Sequence, residues 1–242
     1  NTSRATTLNG SGGTFSTDSG TGLSHTGVIG GVGSLTQTGG GTLFVHGNHT
    51  YAGGTNIDGG TIEIFTDEGL GDASGALSLD GGTLRSVSNF ATARATTLNA
   101  GGGTFTTSLG LVTHTGDIGG SGKLIKEDVA TLVLAGNNSY SGGTDIRGGT
   151  VQVSADNNLG AGTGALSFEG GFLRSTSSLA TGRATTLNAG GTAVLFAGNG
   201  AVVQSGGGVF RTDAGTALSH TGDIGGAGAL GKTGDGALVL FG

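Results

Sequence analysis

The amino-acid sequence predicts an all-β protein, a right-handed parallel β-helix (β-solenoid) with about 20 residues in each turn. Three observations lead to this prediction: the glycine content, the short alternating groups of apolar residues, and the repetition of whole phrases along the chain. The 242 residues include 57 glycines. A helical repeat is excluded at this density, because each glycine inside a helix costs about 1 kcal/mol relative to alanine.

A long unit is the first repeated element. The phrase RATTLN begins at Arg4, Arg94 and Arg183, and these positions are 90 and 89 residues apart. The phrase HTGxIGGxG recurs after 89 and then after 106 residues, which indicates an insertion near residues 190–205. The insertion could be a projecting binding loop, or an extra turn or hairpin. We interpret residues 1–242 as one solenoid domain. Its units are 4–93, 94–182 and 183–242.

A shorter period runs inside each unit. A threonine that follows a pair of glycines recurs at Thr42, Thr61, Thr83 and Thr104, with gaps of 19, 22 and 21 residues. Segments between glycines, such as TLFV and TIEI, alternate large apolar residues with others, as half-buried strands do. In a parallel β-helix the apolar residues fill the interior, and Gly and Asn form the corners. Four turns would make one unit, and the chain would have about eleven or twelve turns.

Two segments contain the most specific motif, GTLFVHGNHTYAGGTNIDGGTIEI and ATLVLAGNNSYSGGTDIRGGTVQV. They resemble the autotransporter passenger-associated repeat of Gram-negative bacteria. In that repeat a strand is followed by Gly-Asn-x-x-Tyr-x-Gly-Gly-Thr and then by a second strand. A third copy begins at Leu238. The motif positions in the two full copies are Gly47, Asn48, Tyr51, Gly53, Gly54 and Thr55, and Gly136, Asn137, Tyr140, Gly142, Gly143 and Thr144.

The resemblance implies a passenger stalk that is exported and displayed on the bacterial cell surface. It implies an adhesive role, without catalysis, in which the stalk contacts neighbouring repeats, copies of itself, or glycans and proteins of host or bacterial surfaces. Passengers of this family are followed by a C-terminal membrane β-barrel. Because this sequence has no such segment and stops within the third copy, we expect it to be a fragment of a longer array.

Charge and hydropathy exclude two classes of partner. The net charge is −6, and the 10 basic residues are not clustered on a face that could neutralise phosphates. Nucleic acid is therefore not an expected partner. The apolar runs are far shorter than the roughly 20 residues of a membrane helix, so we expect no direct membrane insertion in this segment. Cysteine is absent, which excludes disulfides and thiolate sites. No cofactor is predicted.

The five histidines do not predict a metal site. His25, His114 and His220 share one register, but one unit apart means roughly 20 Å at about 4.8 Å per turn. Metal ligands must all lie within about 2–2.3 Å of one ion. His46 and His49 are neighbours in the first unit, whereas the second unit has alanine and asparagine there.

Carboxylates are the remaining candidates for catalysis, since enzymes that cleave polysaccharides need two placed acids. Asp67 with Glu68, and Asp58 with Glu63, are the available pairs. Three of these four acids are replaced by Arg, Asn or Gln in the second unit, a variation typical of solvated surface. We therefore predict that the segment is not an enzyme.

Two repeated residue types could contact a partner. For Arg4, Arg94 and Arg183 we favour surface side chains whose stems cover a strand edge, with a contact to a neighbouring copy or an acidic polymer as the alternative. For Tyr51 and Tyr140 we favour packing over a turn rather than exposure to a ligand.

The favoured function is therefore an adhesive cell-surface stalk. The alternative is a stretch of an extracellular filament whose rods stack end to end, and a polysaccharide-degrading β-helix enzyme is a third hypothesis. Extended strand edges at both ends of a solenoid are normally capped, and neither terminus contains a recognisable cap.

Overall fold

The computed structural model of the chain describes residues 1–188, 192–196, 207–211, 215, 217–227, 229–233 and 235–241. These residues form short parallel strands and two one-turn 3₁₀ helices, Asp67–Leu70 and Asp156–Leu159. Across the described residues, no helix is both long and apolar enough to cross a membrane. The strands are β1 (Thr6–Leu8), β2 (Gly13–Ser16), β3 (Gly22–Ser24), β4 (Ile29–Gly31), β5 (Leu35–Thr38), β6 (Thr42–Phe44), β7 (Thr55–Ile57), β8 (Thr61–Ile64), β9 (Leu77–Leu79), β10 (Gly82–Ser86), β11 (Phe90–Thr92), β12 (Thr96–Leu98), β13 (Gly103–Thr107), β14 (Leu111–His114), β15 (Ile118–Gly120), β16 (Leu124–Glu127), β17 (Thr131–Leu134), β18 (Thr144–Ile146), β19 (Thr150–Val153), β20 (Leu166–Phe168), β21 (Phe172–Ser175), β22 (Leu179–Thr181), β23 (Thr185–Leu187), β24 (Thr192–Phe196), β25 (Gly207–Arg211), β26 (Ala217–His220), β27 (Ile224–Gly226), β28 (Ala229–Thr233) and β29 (Ala237–Leu240).

The strands stack as the coils of a solenoid. One coil runs through β9, β10 and β11, which lie in three different sheets. The next coil places β12 beside β9, β13 beside β10 and β14 beside β11. The chain makes about ten such coils of about 21 residues each. The predicted parallel β-solenoid and its period are therefore confirmed.

The interior is a set of stacked apolar columns. Side chains alternate across a strand, so every second residue points inward. In the ten-stranded sheet the register aligns the buried side chains of Leu43, Ile62, Leu84 and Phe105 in one column. The following member of the column is Lys126, which is also fully buried. The column shows that the alternation read from the sequence is the alternation between core and surface.

The long unit is not four turns, as the sequence predicted, but four turns and about a third. Four pairing steps lead from Thr96 back to Gly13, through strands β9, β7 and β5. The equivalent of Thr96 in the first unit is Thr6, which lies seven residues before Gly13. Each unit is therefore rotated about the solenoid axis by about a third of a turn relative to the unit before it, which moves equivalent strands from one face of the solenoid to another. The three RATTLN strands, β1, β12 and β23, accordingly lie in the two-stranded, six-stranded and ten-stranded sheets.

The last unit departs from the regular period. Thr185 pairs with Ile224, so this step between neighbouring strands is nearly twice as long as the regular one. This long step is one reason that there are about ten coils rather than the eleven or twelve predicted. Most of the predicted insertion, namely 189–191 and 197–206, lies outside the described residues. The strands on either side of residues 197–206, β24 and β25, pair in parallel, whereas the arms of a hairpin would be antiparallel.

The Tyr-x-Gly-Gly-Thr motif lies at a close approach between adjacent coils. A side chain at Gly53 would come within 2.3 Å of a backbone carbon of the neighbouring coil. Gly54 has a φ of 84°, which disfavours other residues, and a Cβ atom there would lie 2.5 Å from the carbonyl oxygen of Ala76. Gly142 and Gly143 have matching contacts in the second repeat. Close stacking of the coils therefore requires glycine at these motif positions.

We expect Gly54→Ala to destabilise the solenoid by about 2–4 kcal/mol, because it adds backbone strain and a clash with the next coil. Gly81→Ala is the matched control. Gly81 has a φ of 80° but open space around its Cα, so only the strain of about 1 kcal/mol applies. Urea unfolding followed by circular dichroism measures both. Equal losses for the two variants would contradict the role assigned to coil approach.

Candidate functional site

The most elaborate polar site in the described structure is a loop held by the side chain of Arg94. The loop runs from Asp67 to Gly75 in the preceding coil. The Nε of Arg94 donates to the Asp67 carboxylate at 3.0 and 3.1 Å. Its two terminal nitrogens donate to the backbone carbonyls of Asp67, Gly71, Asp72 and Gly75 at 2.6–3.1 Å. Arg94 is only 3% exposed, so the loop encloses the whole guanidinium group.

Arg183 holds the equivalent loop of the second unit in the same way. Its guanidinium group pairs with the carboxylate of Asp156 at 2.9 and 3.0 Å. It also donates to four carbonyls of the loop Asp156–Gly164. Arg183 is 1% exposed. The prediction that Arg94 and Arg183 lie on the surface is therefore wrong, because each is the buried centre of a loop. Arg4 is exposed.

We call this arrangement of arginine and loop the clamp. The chemistry of the guanidinium group explains why the central residue is arginine. A guanidinium group has five N–H donors in a fixed plane, and burial of its charge is tolerated only next to an anion. The loop supplies both requirements, since its carbonyls accept the donors and its aspartate balances the charge. The signal in the sequence was the spacing of 27 residues from Asp67 to Arg94 and from Asp156 to Arg183.

The carboxylates considered for catalysis have other partners or are exposed. Asp67 belongs to the clamp. Glu63 accepts from His46 at 3.0 Å and from Arg85 at 3.3 Å. Asp58 and Glu68 are exposed on the outer surface. Hydrogen bonds from Thr66 and from the backbone lower the pKa of Glu68, which keeps this acid ionised. In each predicted pair, one acid is therefore held by a basic partner, Asp67 by Arg94 and Glu63 by His46 and Arg85, and the other acid lies on the surface.

The three repeated histidines each contact a threonine about one turn earlier in the chain. The Nε2 atom of His114 lies 2.8 Å from the hydroxyl of Thr96, and its Nδ1 atom lies 3.1 Å from the carbonyl oxygen of Gly116. The carbonyl can only accept, so Nδ1 carries a proton, and in the neutral ring Nε2 then accepts from the threonine hydroxyl. Burial lowers the pKa of His114 to about 4, which favours this neutral form. His25 with Thr6, and His220 with Thr185, make the same contact at 2.9 Å.

The tyrosines of the repeat motif are also internal, as the sequence predicted. Tyr51 and Tyr140 are fully buried, and each hydroxyl lies 2.7 Å from the motif threonine, Thr55 or Thr144. Thr55 in turn donates to the carbonyl of Leu70 at 3.1 Å. Burial is the main reason that the pKa of Tyr51 is raised to about 12. These hydroxyls therefore remain protonated and connect strands to the loop that the clamp holds.

The buried polar residue of the Gly-Asn motif is the one after the asparagine. Asn48 and Asn137 are exposed, whereas His49 and Asn138 are buried. His49 Nδ1 accepts from the backbone N–H of Ile29 at 3.1 Å. The Asn138 side-chain oxygen accepts from the N–H of Ile118 at 2.9 Å. Comparison of the two repeats showed that Asn138 replaces His49. It did not show that both side chains accept a hydrogen bond from a backbone N–H group of an isoleucine.

Lys126 is a buried charged residue that the sequence analysis did not single out. Its ammonium group donates to the carbonyls of Glu127, Asp128 and Gly148. Burial lowers the pKa of Lys126 to about 8. The ammonium group binds the carbonyls of a turn from the interior of the solenoid. It has no exposed surface, so its contacts are structural.

Metal ligation has no support from these groups. Over the part of the chain that the structure describes, no three His, Asp or Glu side chains come together as a metal site requires. The offset of a third of a turn also separates the repeated histidines onto different faces.

The outer surface differs between units more than the interior ties do. The exposed Phe65 stacks on His46 with ring centroids 4.0 Å apart, and Phe44 packs edge-on against the same ring. The second unit has Ser154 at the position of Phe65, and valine and alanine at the other two. By contrast, both clamps, both tyrosine contacts and the histidine ties recur. The arrangement is a fixed internal scaffold with variable side chains outside.

This architecture defines a repeat solenoid whose buried polar groups join successive coils. The family model named passenger-associated-transport-repeat matches residues 35–64 and 124–153. The chain therefore contains two passenger-associated-transport repeats, which confirms the resemblance to autotransporter passengers. No solved structure matches the chain.

A curated relative extends the similarity beyond the two repeats. The chain is 35% identical over 185 residues to a Brucella suis biovar 1 (strain 1330) protein named adhesin BmaC autotransporter. The aligned region covers 76% of this chain and 5% of that protein. The chain thus spans a small part of the length of the relative it matches.

We expect Arg94→Lys to destabilise the protein by about 3–5 kcal/mol, since three ammonium donors cannot satisfy the carbonyls that the guanidinium group satisfies. Hydrogen exchange of the loop 67–75 should accelerate, and the midpoint of urea unfolding should fall. Arg85→Lys is the control, because Arg85 is half-exposed and its pair with Glu63 is worth less than about 1 kcal/mol. A midpoint for Arg94→Lys equal to that of Arg85→Lys would exclude the clamp.

We expect the free energy of unfolding to fall as the pH decreases from about 6.5 to about 4. His114 has a pKa of about 4 in the folded protein, so in this interval the unfolded state binds more protons. The shift corresponds to roughly 3 kcal/mol for this residue. Urea unfolding at several pH values should show a shallower decrease for His114→Gln, in which the titrating group is absent. Identical pH profiles for the two proteins would contradict the assignment.

Proposed function

We propose that this chain is a stretch of the stalk of an adhesive autotransporter passenger, exposed on the bacterial surface or secreted. Its role is to present a long, stiff surface on which contacts with a target form. Binding by such a surface uses many weak contacts in parallel, and their combined avidity exceeds the affinity of each contact.

The observation that carries the proposal is the combination of the repeat family with the adhesin relative. Two segments match the passenger-associated-transport repeat, and 76% of the chain aligns with the protein named as an adhesin. The aligned part is a small fraction of that adhesin, so the comparison supports a shared kind of segment.

The distribution of polar groups agrees with a stalk. Buried arginine side chains and His49 join neighbouring coils, so that bending the rod would break several buried hydrogen bonds. The outward positions of the two repeats differ in charge and size, for example Asp58 and Arg147. A binding surface can vary in this way without a change in the scaffold.

A non-catalytic role is part of the proposal. Asp67, one of the acids considered for catalysis, is bound to Arg94, and Glu63 is bound to His46 and Arg85. These partners hold the acids in ion pairs, which supports a structural role for both.

The test is the attachment of coated beads to cultured epithelial cells. We expect beads coated with purified chain to attach more than beads coated with the Arg94→Ala, Arg183→Ala double variant. That variant keeps nearly the same composition but lacks both clamps. Equal attachment of the two kinds of bead would contradict adhesion by this folded segment, and would leave a spacer role.

A further inference from the structure

Three aromatic rings gather on the outer surface of the first unit. We call Phe44, His46 and Phe65 the ring patch. Phe44 and His46 lie on one coil, and Phe65 lies on the next coil, where it stacks on His46 with ring centroids 4.0 Å apart. Phe65 is 43% exposed, so its ring is accessible to a ligand. Exposed apolar side chains that are grouped within a polar rim are typical of binding sites, whereas isolated ones are common on any surface.

The scaffold holds the rings of the patch in place. The Glu63 carboxylate accepts from Nε2 of His46 at 3.0 Å. The Phe44 ring fills the space beside Gly22 of the preceding coil, where a Cβ atom would come within 2.6 Å of it. The same ring packs edge-on against His46 at a centroid distance of 5.7 Å. A ligand would therefore bind a preformed platform and would have few side chains to order, which favours binding.

Hydrogen-bond donors border the ring patch on one side. Arg85 is the register partner of Glu63 in the following coil, and its Nη1 atom donates to the carboxylate at 3.3 Å. A guanidinium group has five N–H donors, and within the described residues the bond to Glu63 uses one of them. The Arg85 side chain is 38% exposed. It can therefore donate to a ligand beside the rings while it keeps its contact with Glu63.

Size and charge together select the ligand. Neighbouring coils are about 4.8 Å apart, and successive outward residues of one strand are about 7 Å apart. The patch thus has the dimensions of a single small ring, far below the roughly 800 Å² that a stable protein partner covers. Glu63 balances the charge of Arg85, so the site has no excess positive charge for a phosphate backbone. A neutral molecule with an apolar face and a polar edge fits this surface.

We propose that the ring patch and Arg85 bind a neutral pyranose sugar of a glycan on the target cell. A pyranose ring has C–H groups on its faces and hydroxyl groups along its edge. Its face packs against Phe65, and its hydroxyl oxygens accept from Arg85. The inference rests on the proposed adhesive function, because it names the class of target that one place on the stalk recognises.

The second unit has the same scaffold without the rings. The side-chain oxygen of Gln152 accepts from Arg174 at 3.2 Å, in the positions of Glu63 and Arg85. The residues at the three ring positions are Val133, Ala135 and Ser154. The pair that contains the arginine is thus common to both units, whereas the ring patch belongs to the first unit alone. We therefore assign sugar binding to the first unit.

The test removes the ring patch with residues that the same scaffold already carries. The ring-free variant is Phe44→Val, His46→Ala and Phe65→Ser. Saturation-transfer NMR of the full chain uses the methyl pyranosides of glucose, galactose, mannose, N-acetylglucosamine, N-acetylgalactosamine and fucose. A ligand of this size binds with a dissociation constant on the order of 1 mM. We expect at least one sugar to bind the parent chain, and about tenfold weaker binding by the ring-free variant at an unchanged urea midpoint.

A second variant tests whether the patch is sufficient for binding. It adds the patch to the second unit of the ring-free variant through Leu111→Gly, Val133→Phe, Ala135→His, Gln152→Glu and Ser154→Phe. Leu111 is included because it occupies the position at which Gly22 leaves space for the Phe44 ring. We expect this graft to restore binding of the same sugar, since Arg174 already lies beside the grafted positions.

Four results would overturn the proposal. The first is that none of the sugars binds the parent chain, and the second is that binding persists in the folded ring-free variant. The third is a folded graft that binds no sugar. The fourth is that N-acetyltryptophanamide, a probe for an aromatic side chain of a protein partner, binds at the patch and the sugars do not.

Two further points keep the test decisive. If the ring-free variant does not fold, Phe65→Ser takes its place, because this ring is largely exposed; unchanged sugar binding in that variant would reject the site. The measurement also uses no cells. Sugar binding can therefore fail while beads coated with the chain still attach, which would reject this site and leave the adhesive function standing.

Discussion

The buried arginine and its loop are the contact on which the regular stacking of this solenoid depends. Strands three to five residues long offer few hydrogen bonds each, and every coil contacts only its two neighbours. The loops Asp67–Gly75 and Asp156–Gly164 are the longest regular departures from that ladder within the described coils. The side chains of Arg94 and Arg183 come from the next coil and donate to the carbonyls of these loops. Each loop is thereby held against the solenoid. The strained glycines and the tyrosine contacts of the repeat pack around this held loop.

Because each unit is offset by about a third of a turn, the contacts of successive units lie on different faces of the solenoid. If a unit were a whole number of coils, the clamps would all lie on one face. Instead the RATTLN strands lie in different sheets, so successive ties are distributed around the rod. A solenoid tied on several faces resists bending in several directions. This arrangement suits a segment that must hold its shape over a long distance.

The division between interior and exterior connects the fold with the proposed role. Inside, the arginines of the clamps and the motif tyrosines have fixed partners, and burial holds His114 and Tyr51 in their neutral forms. Outside, Phe65 and His46 of one unit become serine and alanine in the next. The scaffold can therefore carry different contacts along its length at little cost in stability. An adhesive passenger needs this combination of a constant rod and an adjustable surface.

The sequence by itself determined the solenoid, its period and the repeat family, because glycine spacing and strand alternation are local properties that stacking simply repeats. It also indicated that Tyr51 and Tyr140 pack internally. Only the tertiary structure decided the role of the arginines, since the loop that binds Arg94 belongs to the preceding coil and contributes mainly backbone carbonyls, which leave no mark on the sequence. The rotation of each unit was likewise hidden, because it depends on how a unit divides among coils of unequal length.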